Sequence, residues 1–544
     1  MMNSKPSNLI LTIFAICIGL SSQQGCPWPC SCVDLTVNCR SRGLTSIPTN
    51  IPIDTTALDL SGNNIERITE RSFNSLKNLT ILLLNGSNIK YLDAYAFDGL
   101  ENIFSLNLRD NQIKAVYQNT FTGIKFPSGL YEVCHRQAGL LWDDCMVDLR
   151  YNPLSKVAIY AFAQTKGIRV YFGEQDVPMN MVGAFWGSDE ANEIVFVNIK
   201  ELNLELISFG GCTRPRHIAI IDTYLPYLPW GTFKDITEIE SLELDNCTID
   251  RIAQGAFGGN TFRGRDHYSA ENVIQINKCT INCPIPSYAF SNSTVRSIVI
   301  TQNTLSGFEP FAFDGERGKL HLSDLIIAGN DNWTEVNTNT FANIREAKSG
   351  IFISGNNLTD IHTGAFTNTR NVGRLKFSNE STKLTVHPRA FNNVSNVTQW
   401  IEFEDMRNVI LKSQAFSGVA NISTLRFYQS KITKFDRKFI DACKPGIRSL
   451  TLNSNPIPCD CNAAHLALFC RNAKIGYFVS CNFNGTSTSV TAHDWESKGP
   501  EWHPPNSNLP NCQNIDPITC GVSIVLPSFI SIVIAMTIFV YTCL

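Results

Sequence analysis

The chain has 544 residues, 45 Lys and Arg against 48 Asp and Glu, and a formal net charge of −3. A single core rarely grows past about 250–300 residues, so this length makes several compact domains or one elongated repeat structure. The near balance of charge leaves no net field to favour nucleic acid or an anionic membrane surface, and nineteen cysteines make the redox compartment the first question.

Residues 1–25 read as a secretory signal peptide: a lysine-bearing start, MMNSKPSN, then the apolar run LILTIFAICIGL, then SSQQG. The run is too short to span a bilayer. Gly19 and Ser21 supply small residues for cleavage anywhere from Ser21 to Gly25, so the mature chain begins close to Cys26. Export places the cysteines where disulfides persist. N-x-Ser/Thr sequons at Asn78, Asn85, Asn246, Asn292, Asn332, Asn357, Asn379, Asn393, Asn396, Asn421 and Asn484 agree with export and are expected to carry glycans. Charged residues are only 17%, below the usual quarter, so glycans help keep the surface wet. Residues 26–55 contain Cys26, Cys30, Cys32 and Cys39. Their spacing alone also suits zinc, but an exported chain favours disulfides.

From 56 to 458 the sequence repeats itself about fifteen times. Fifteen phenylalanines from Phe73 to Phe439 recur mostly every 23 to 25 residues. About eight residues before most of them stands L-x-L-x-x-N-x-L or a relaxed form of it: LDLSGNNI (58–65), LNLRDNQI (106–113), LELDNCTI (242–249), IQINKCTI (274–281), IVITQNTL (298–305), IFISGNNL (351–358) and LTLNSNPI (450–457). This pattern resembles the extracellular leucine-rich repeats, over roughly residues 44 to 458. The resemblance implies an α/β leucine-rich repeat solenoid, a horseshoe with a parallel β-sheet on its concave face and a largely irregular convex side, closed by disulfide-rich caps.

Elementary physics accounts for the motif. L-x-L is a short strand whose leucines point inward while the intervening residue faces solvent. One repeat cannot bury its own apolar face, so repeats stack strand beside strand. Asn63, Asn111, Asn303, Asn330 and Asn356 are expected to bond backbone groups of adjacent turns, and Cys247 and Cys279 occupy the same ladder position. The phenylalanines are expected to form a spine on the convex side. Two stretches break the period, near 124–147 and 258–272. In the first, Cys134 and Cys145 are expected to close a loop. Such insertions map to surface loops, most of them tolerated and some of them binding.

The resemblance further implies that Cys26 pairs with Cys32 and Cys30 with Cys39 in an N-terminal cap. Residues 459–514 resemble the C-terminal cap, with Cys459 paired to Cys481 and Cys461 to Cys512. Cys470 is an extra, bonded to Cys443. Pairing of Cys212, Cys247, Cys279 and Cys283 stays open.

No nucleophile elbow, P-loop, zincin or dinucleotide motif occurs, and the nine histidines form no i, i+4 pair. The chain therefore reads as a binder and not an enzyme, with no cofactor and no metal. Glu402 and Glu404 share a strand face and read as solvated surface. Among the solvent-side strand positions, Val299, Ile326, Ala328 and Phe352 are apolar where the fold does not require it, with polar residues on either side. Single exposed apolar residues are ordinary; adjacency over three strands makes these a partner-binding patch. Asn85 also holds a concave position, where a glycan would discourage binding at the amino-terminal end.

Residues 515–544 end in the uncharged run VSIVLPSFISIVIAMTIFVYTCL. A span normally carries flanking Lys or Arg. Small residues, a polar spacer and a terminal apolar tail instead fit a discarded glycolipid-anchor signal, with attachment between Ser507 and Asn514. Cleavage between Cys512 and Cys520 leaves an even number of cysteines, so Asn514 is the expected attachment residue. In architecture the chain resembles the chaoptin and connectin type of adhesion protein, and in its caps the slit and Toll ectodomains. That implies a cell-surface glycoprotein on the extracellular face of the plasma membrane, binding an extracellular protein or a second copy of itself in adhesion or as a co-receptor. A recognition protein for microbial or soluble ligands and a secreted non-catalytic scaffold subunit of an enzyme are the alternatives.

Overall fold

The computed structural model describes residues 25–127, 145–262, 273–315, 317–380, 382–435, 446–458, 476–483 and 486–490. Residues 1–24, the insertion segments 128–144 and 263–272, Cys134, Cys443, Cys459, Cys461, Cys470, Asn484, Cys512 and Asn514 lie outside them. The sequence readings that fall on these residues therefore have no structural counterpart here.

The described residues form a solenoid. Sixteen parallel strands, from Ala57–Asp59 to Ile447–Pro458, pair in turn order along one concave sheet. The register is repeat-faithful: Leu58 aligns with Leu82 and Leu106, and Ile298 with Leu325, Ile351, Leu375 and Ile401. Burial alternates accordingly, as in Ser297–Thr301, where Ile298 and Ile300 are buried and their neighbours are not. The flank and convex side consist of turns and short strands, which pair into smaller parallel sheets such as Glu335–Val336, Asp360–Ile361 and Lys383–Val386. No helix occurs among the described residues, and hence none long and apolar enough to cross a membrane.

The phenylalanine period becomes a continuous stack. From Phe73 to Phe416 each ring lies face to face with the next, with centroids from 4.7 Å (Phe121 to Phe162) to 6.3 Å (Phe185 to Phe209). Every one of these rings is fully buried. The gap of 41 residues between Phe121 and Phe162 thus separates consecutive turns in space, and the extra sequence leaves the stack undisturbed.

A second ladder runs beside the first, built from asparagine amides. Asn111 Nδ2 donates to Leu84 O and Leu108 O, at 3.0 and 2.9 Å, and its Oδ1 accepts from the N–H groups of Ser87 and Ile89. Asn303, Asn330 and Asn356 are linked amide to amide, with Asn303 Nδ2 to Asn330 Oδ1 and Asn330 Nδ2 to Asn356 Oδ1 both at 2.9 Å. The next turn places Glu380 there, fully buried, its carboxylate accepting from Leu358 N at 2.8 Å and Asn356 N at 3.2 Å. Burial pushes the Glu380 carboxyl up from its ordinary range, against those backbone donors, which favour the ionised form. Cys247 and Cys279 fill the ladder as thiols, with Cys247 N donating to Cys279 Sγ at 3.4 Å.

At the amino-terminal end the antiparallel strands Ser31–Val33 and Thr36–Asn38 cover the first turn, and Thr36–Asn38 pairs in parallel with Ala57–Asp59. Disulfides Cys26–Cys32 and Cys30–Cys39 hold this cap. Cys145 is disulfide-bonded as well. Cys212, Cys247, Cys279 and Cys283 are free thiols, and burial pushes the Cys212 thiol up to about 12, so it is not a thiolate at neutral pH.

Candidate partner-binding face

Val299, Ile326 and Phe352 align directly across three neighbouring strands, and Ala328 sits beside Ile326 between Thr301 and Ser354. All four are half-buried. The sheet positions them because Leu325 and Ile327, or Ile351 and Ile353, turn inward on the same strands, leaving the alternate residues on the concave face. The row continues into Gln275 on one side and Lys376 on the other. A shallow cleft of about 560 Å³ adjoins it, lined by Glu243, Asp245, Asn277, Lys278, Thr301 and Ala328 among others.

Two charged clusters bracket the apolar row. On the carboxyl-terminal side, Arg426 Nε lies 3.1 Å from Glu402 Oε1, and Lys376 contacts both Glu402 and Glu404. Glu402 is only 3% exposed, which corrects its reading as solvated surface. The neighbouring strands set Lys376 and Arg426 on either side of it and its own strand places Trp400 two residues before it, so three long side chains on one curved sheet cover the acid between them. Burial pushes the Glu402 carboxyl up, while Arg426 and Lys376 oppose that by favouring the charged form. On the amino-terminal side, Arg169 is 1% exposed and donates to Glu193 Oε2 at 2.6 Å and to Cys145 O at 3.0 Å. Arg150 and Asp148 form a bidentate pair beside Tyr171. Ala219, at a solvent-side strand position by the L-x-L alternation, is fully buried. Its strand neighbours Val195 and Glu243 overhang a side chain of one carbon.

His217 faces Ser241 Oγ through Nδ1 and lies 3.5 Å from Glu243 through Nε2. This hydroxyl, imidazole and carboxylate stand on a sheet whose strands are paired on both sides. Their backbone N–H groups are used in the ladder, so no donor pair is aimed at a developing oxyanion.

The sequence reading missed a second apolar strip, on the convex side. Ile159 (37%), Leu206 (49%) and Trp230 (50%) are exposed at corresponding positions of nearby turns, with Trp186 (38%) close by. The signal available was the offset from each phenylalanine, three residues before Phe162, Phe209 and Phe233. Of the sequons, Asn78, Asn246, Asn292, Asn332, Asn357, Asn379, Asn393, Asn396 and Asn421 are exposed and Asn85 is half-buried. All of these except Asn78 and Asn85 adopt positive φ, from 53° to 68°. Asparagine tolerates that conformation, so the turn geometry itself favours Asn at these positions.

The leucine rich repeat family model matches residues 55–113, the leucine rich repeat N-terminal domain matches 25–52, and the BspA type leucine rich repeat region matches 264–398, 318–445 and 385–463. Biglycan of Xenopus laevis is 47% identical over 62 residues, 11% of this chain and 17% of the relative. Peroxidasin homolog pxn-2 of Caenorhabditis elegans is 40% identical over 70 residues, 13% of this chain and 5% of the relative. Asporin of Bos taurus is 44% identical over 54 residues, covering 10% and 15%. The chain therefore spans less than a fifth of the length of these curated relatives. Among solved structures, a TLR13–ssRNA13 complex aligns over 85% of this chain and 98% of that one, at 12% identity and TM-score 0.22. The Leptospira interrogans LRR protein LIC12759 covers 81% and 94%, at 14% identity and TM-score 0.32. A mouse RP105/MD-1 complex covers 82% and 95%, at 13% identity and TM-score 0.23.

Proposed function

The chain belongs to the leucine-rich repeat family and carries that family's N-terminal cap, and from that premise we propose that it is a cell-surface glycoprotein whose concave sheet binds a protein partner, in adhesion or as a co-receptor. The observation that carries this reading is the registered row Val299, Ile326, Phe352 with Ala328 beside it. Nothing in the stacking of turns requires apolar side chains there, because Leu325, Ile327, Ile351 and Ile353 already supply the inward face. An apolar centre edged by charged and polar groups is the pattern of a protein contact. The exposed sequons fit an exported, glycosylated chain, and the reading includes cleavage of the signal peptide near Cys26 and a glycolipid anchor at Asn514.

Two measurements test it. Treating intact expressing cells with phosphatidylinositol-specific phospholipase C should release the protein; retention beside a control that is released would sink the glycolipid anchor, and accumulation in untreated medium would favour a secreted protein. Phe352→Asp should abolish association with the partner or with a second copy while leaving the solenoid folded, and unchanged association would sink the concave reading.

A further inference from the structure

Most charged side chains on the middle of the concave sheet are already neutralised within the molecule, as the Arg169–Glu193, Arg150–Asp148 and Lys376–Glu404 pairs illustrate. Two are not. Among the described residues Asp324 makes no ion pair, and neither does Arg374, whose Nε donates to Gln399 Oε1 at 2.6 Å and whose guanidinium lies over Trp400, 5.0 Å from the ring centroid. Both are half-buried and lie on the solvent side of their strands, two residues before Ile326 and Lys376.

Their placement relative to one another is specific. Asp324 aligns with Gly350, and the next strand carries Arg374. The two charges therefore stand two strand spacings apart, about 10 Å, too far to pair with each other. Gly350 between them is buried and carries no side chain. Its φ is +150°, and a Cβ there would lie 2.5 Å from Arg374 O, so no side chain can fill the gap without displacing the next strand. Phe352 stands beside it in the apolar row. The register of all three strands shifts just ahead of these positions, between Leu322 and Asp324, between Ala347 and Ile351, and between Val372 and Arg374. Such irregularities re-aim side chains and recur next to binding sites.

An unpaired acid, a half-buried aromatic ring and an unpaired base on three successive strands, in that order, define a complementary sequence of groups. Resting on the concave reading above, we propose that the partner docks through a segment carrying a basic side chain on Asp324, an apolar side chain against Phe352 and Ile326, and a carboxylate on Arg374. Ion pairs across such a contact set orientation and choice of partner more than total affinity. A segment with like charges at its two ends leaves one end facing its own sign and is rejected. Arg374 and Asp324 are thus specificity residues, whereas Phe352 and Ile326 supply the apolar contact common to any occupant.

The test uses a phage library displaying random linear peptides, selected separately on immobilised full-length protein and on its Asp324→Lys, Arg374→Glu and Phe352→Asp variants. The parent protein should enrich peptides with a Lys or Arg, an apolar residue and an Asp or Glu in one succession, in either chain direction, by at least about tenfold over the naive library, equivalent to about 1.4 kcal/mol. Asp324→Lys should shift the enrichment to two carboxylates flanking the apolar residue, and Arg374→Glu to two cations. Enrichment with no charge pattern, the same pattern on the parent and on both charge variants, or no enrichment at all overturns the assignment. Phe352→Asp separates this failure from failure of the concave reading. Enrichment that survives Phe352→Asp removes the concave site itself; enrichment that is lost there but shows no charge preference in the parent leaves that site standing and removes only the partner chemistry.

Discussion

Replacing Asn330 by Ala removes one rung of the buried amide ladder, and the structure gives the cost. Asn330 is fully buried. Its Nδ2 donates to Ile300 O and to Asn356 Oδ1, and its Oδ1 accepts from Asn303 N and Asn303 Nδ2, all between 2.9 and 3.0 Å. Asn356 Oδ1 would still accept from Asn330 N, and Asn303 Nδ2 would still reach Ile276 O. Asn303 N loses its acceptor, whereas Ile300 O keeps the ladder bond to the neighbouring strand that the pairing of Thr301 with Ala328 carries. An unsatisfied buried group costs about 1–3 kcal/mol, so with one group orphaned the substitution should cost about 1–3 kcal/mol locally. Long repeat arrays do not unfold in one step, so the assay is amide hydrogen exchange resolved by peptide. Exchange over residues 297–330 should accelerate by about tenfold or more, corresponding to about 1.4 kcal/mol, while the capped turns near Leu58 stay protected. Acceleration below about twofold, the range of an ordinary surface substitution, would refute the ladder as a stabilising element.

Glu380 interrupts the same ladder with a carboxyl that burial holds above its ordinary range. A group with a raised folded-state pKa contributes stability that is present below its unfolded pKa and is lost as pH rises through its folded pKa. Glu380→Gln should therefore be close to neutral at pH near 4 and stabilising above neutrality, read as a difference in melting temperature that grows with pH; a constant difference would contradict it. Arg169→Ala leaves Glu193 facing a void and removes the donor to Cys145 O, at a cost of about 3 kcal/mol, and Arg169→Met with Glu193→Leu should recover most of it in a denaturation series. Phe162→Ala opens the aromatic stack between Phe121 and Phe185 and should cost about 3–5 kcal/mol, with the loss in exchange protection centred on those turns.

Much of this architecture was legible because it rests on periodic requirements. The phenylalanine interval follows from one buried ring per turn, and it survives at Phe121 and Phe162 despite the longer spacing in sequence. The L-x-L motif fixes which residues turn inward, so Val299, Ile326 and Phe352 emerge in register as read. What periodicity could not show is how far neighbouring turns cover one another. Glu402 shares its strand pattern with exposed residues, yet Lys376 and Arg426 from the adjacent strands and Trp400 from its own strand close over it. Asp324 and Arg374 precede the L-x-L segment, and their lack of ion pairs among the described residues depends on which side chains neighbouring turns place beside them. The asparagines of the sequons carry a double meaning that sequence alone does not separate: most sit at left-handed turn positions that favour Asn whether or not a glycan is attached.

The concave face and the convex strip make opposite claims on the partner, and one comparison separates them. Full-length protein, Phe352→Asp and Trp230→Asp would be displayed on suspended cells and scored for aggregation or capture of partner-bearing cells, with exchange protection of the phenylalanine stack verifying the fold of each. The account predicts at least about a tenfold loss for Phe352→Asp, as expected for a charge placed at the centre of an apolar contact, and little change for Trp230→Asp. Full activity of Phe352→Asp, with loss confined to Trp230→Asp, would contradict it and move the binding surface to the convex side.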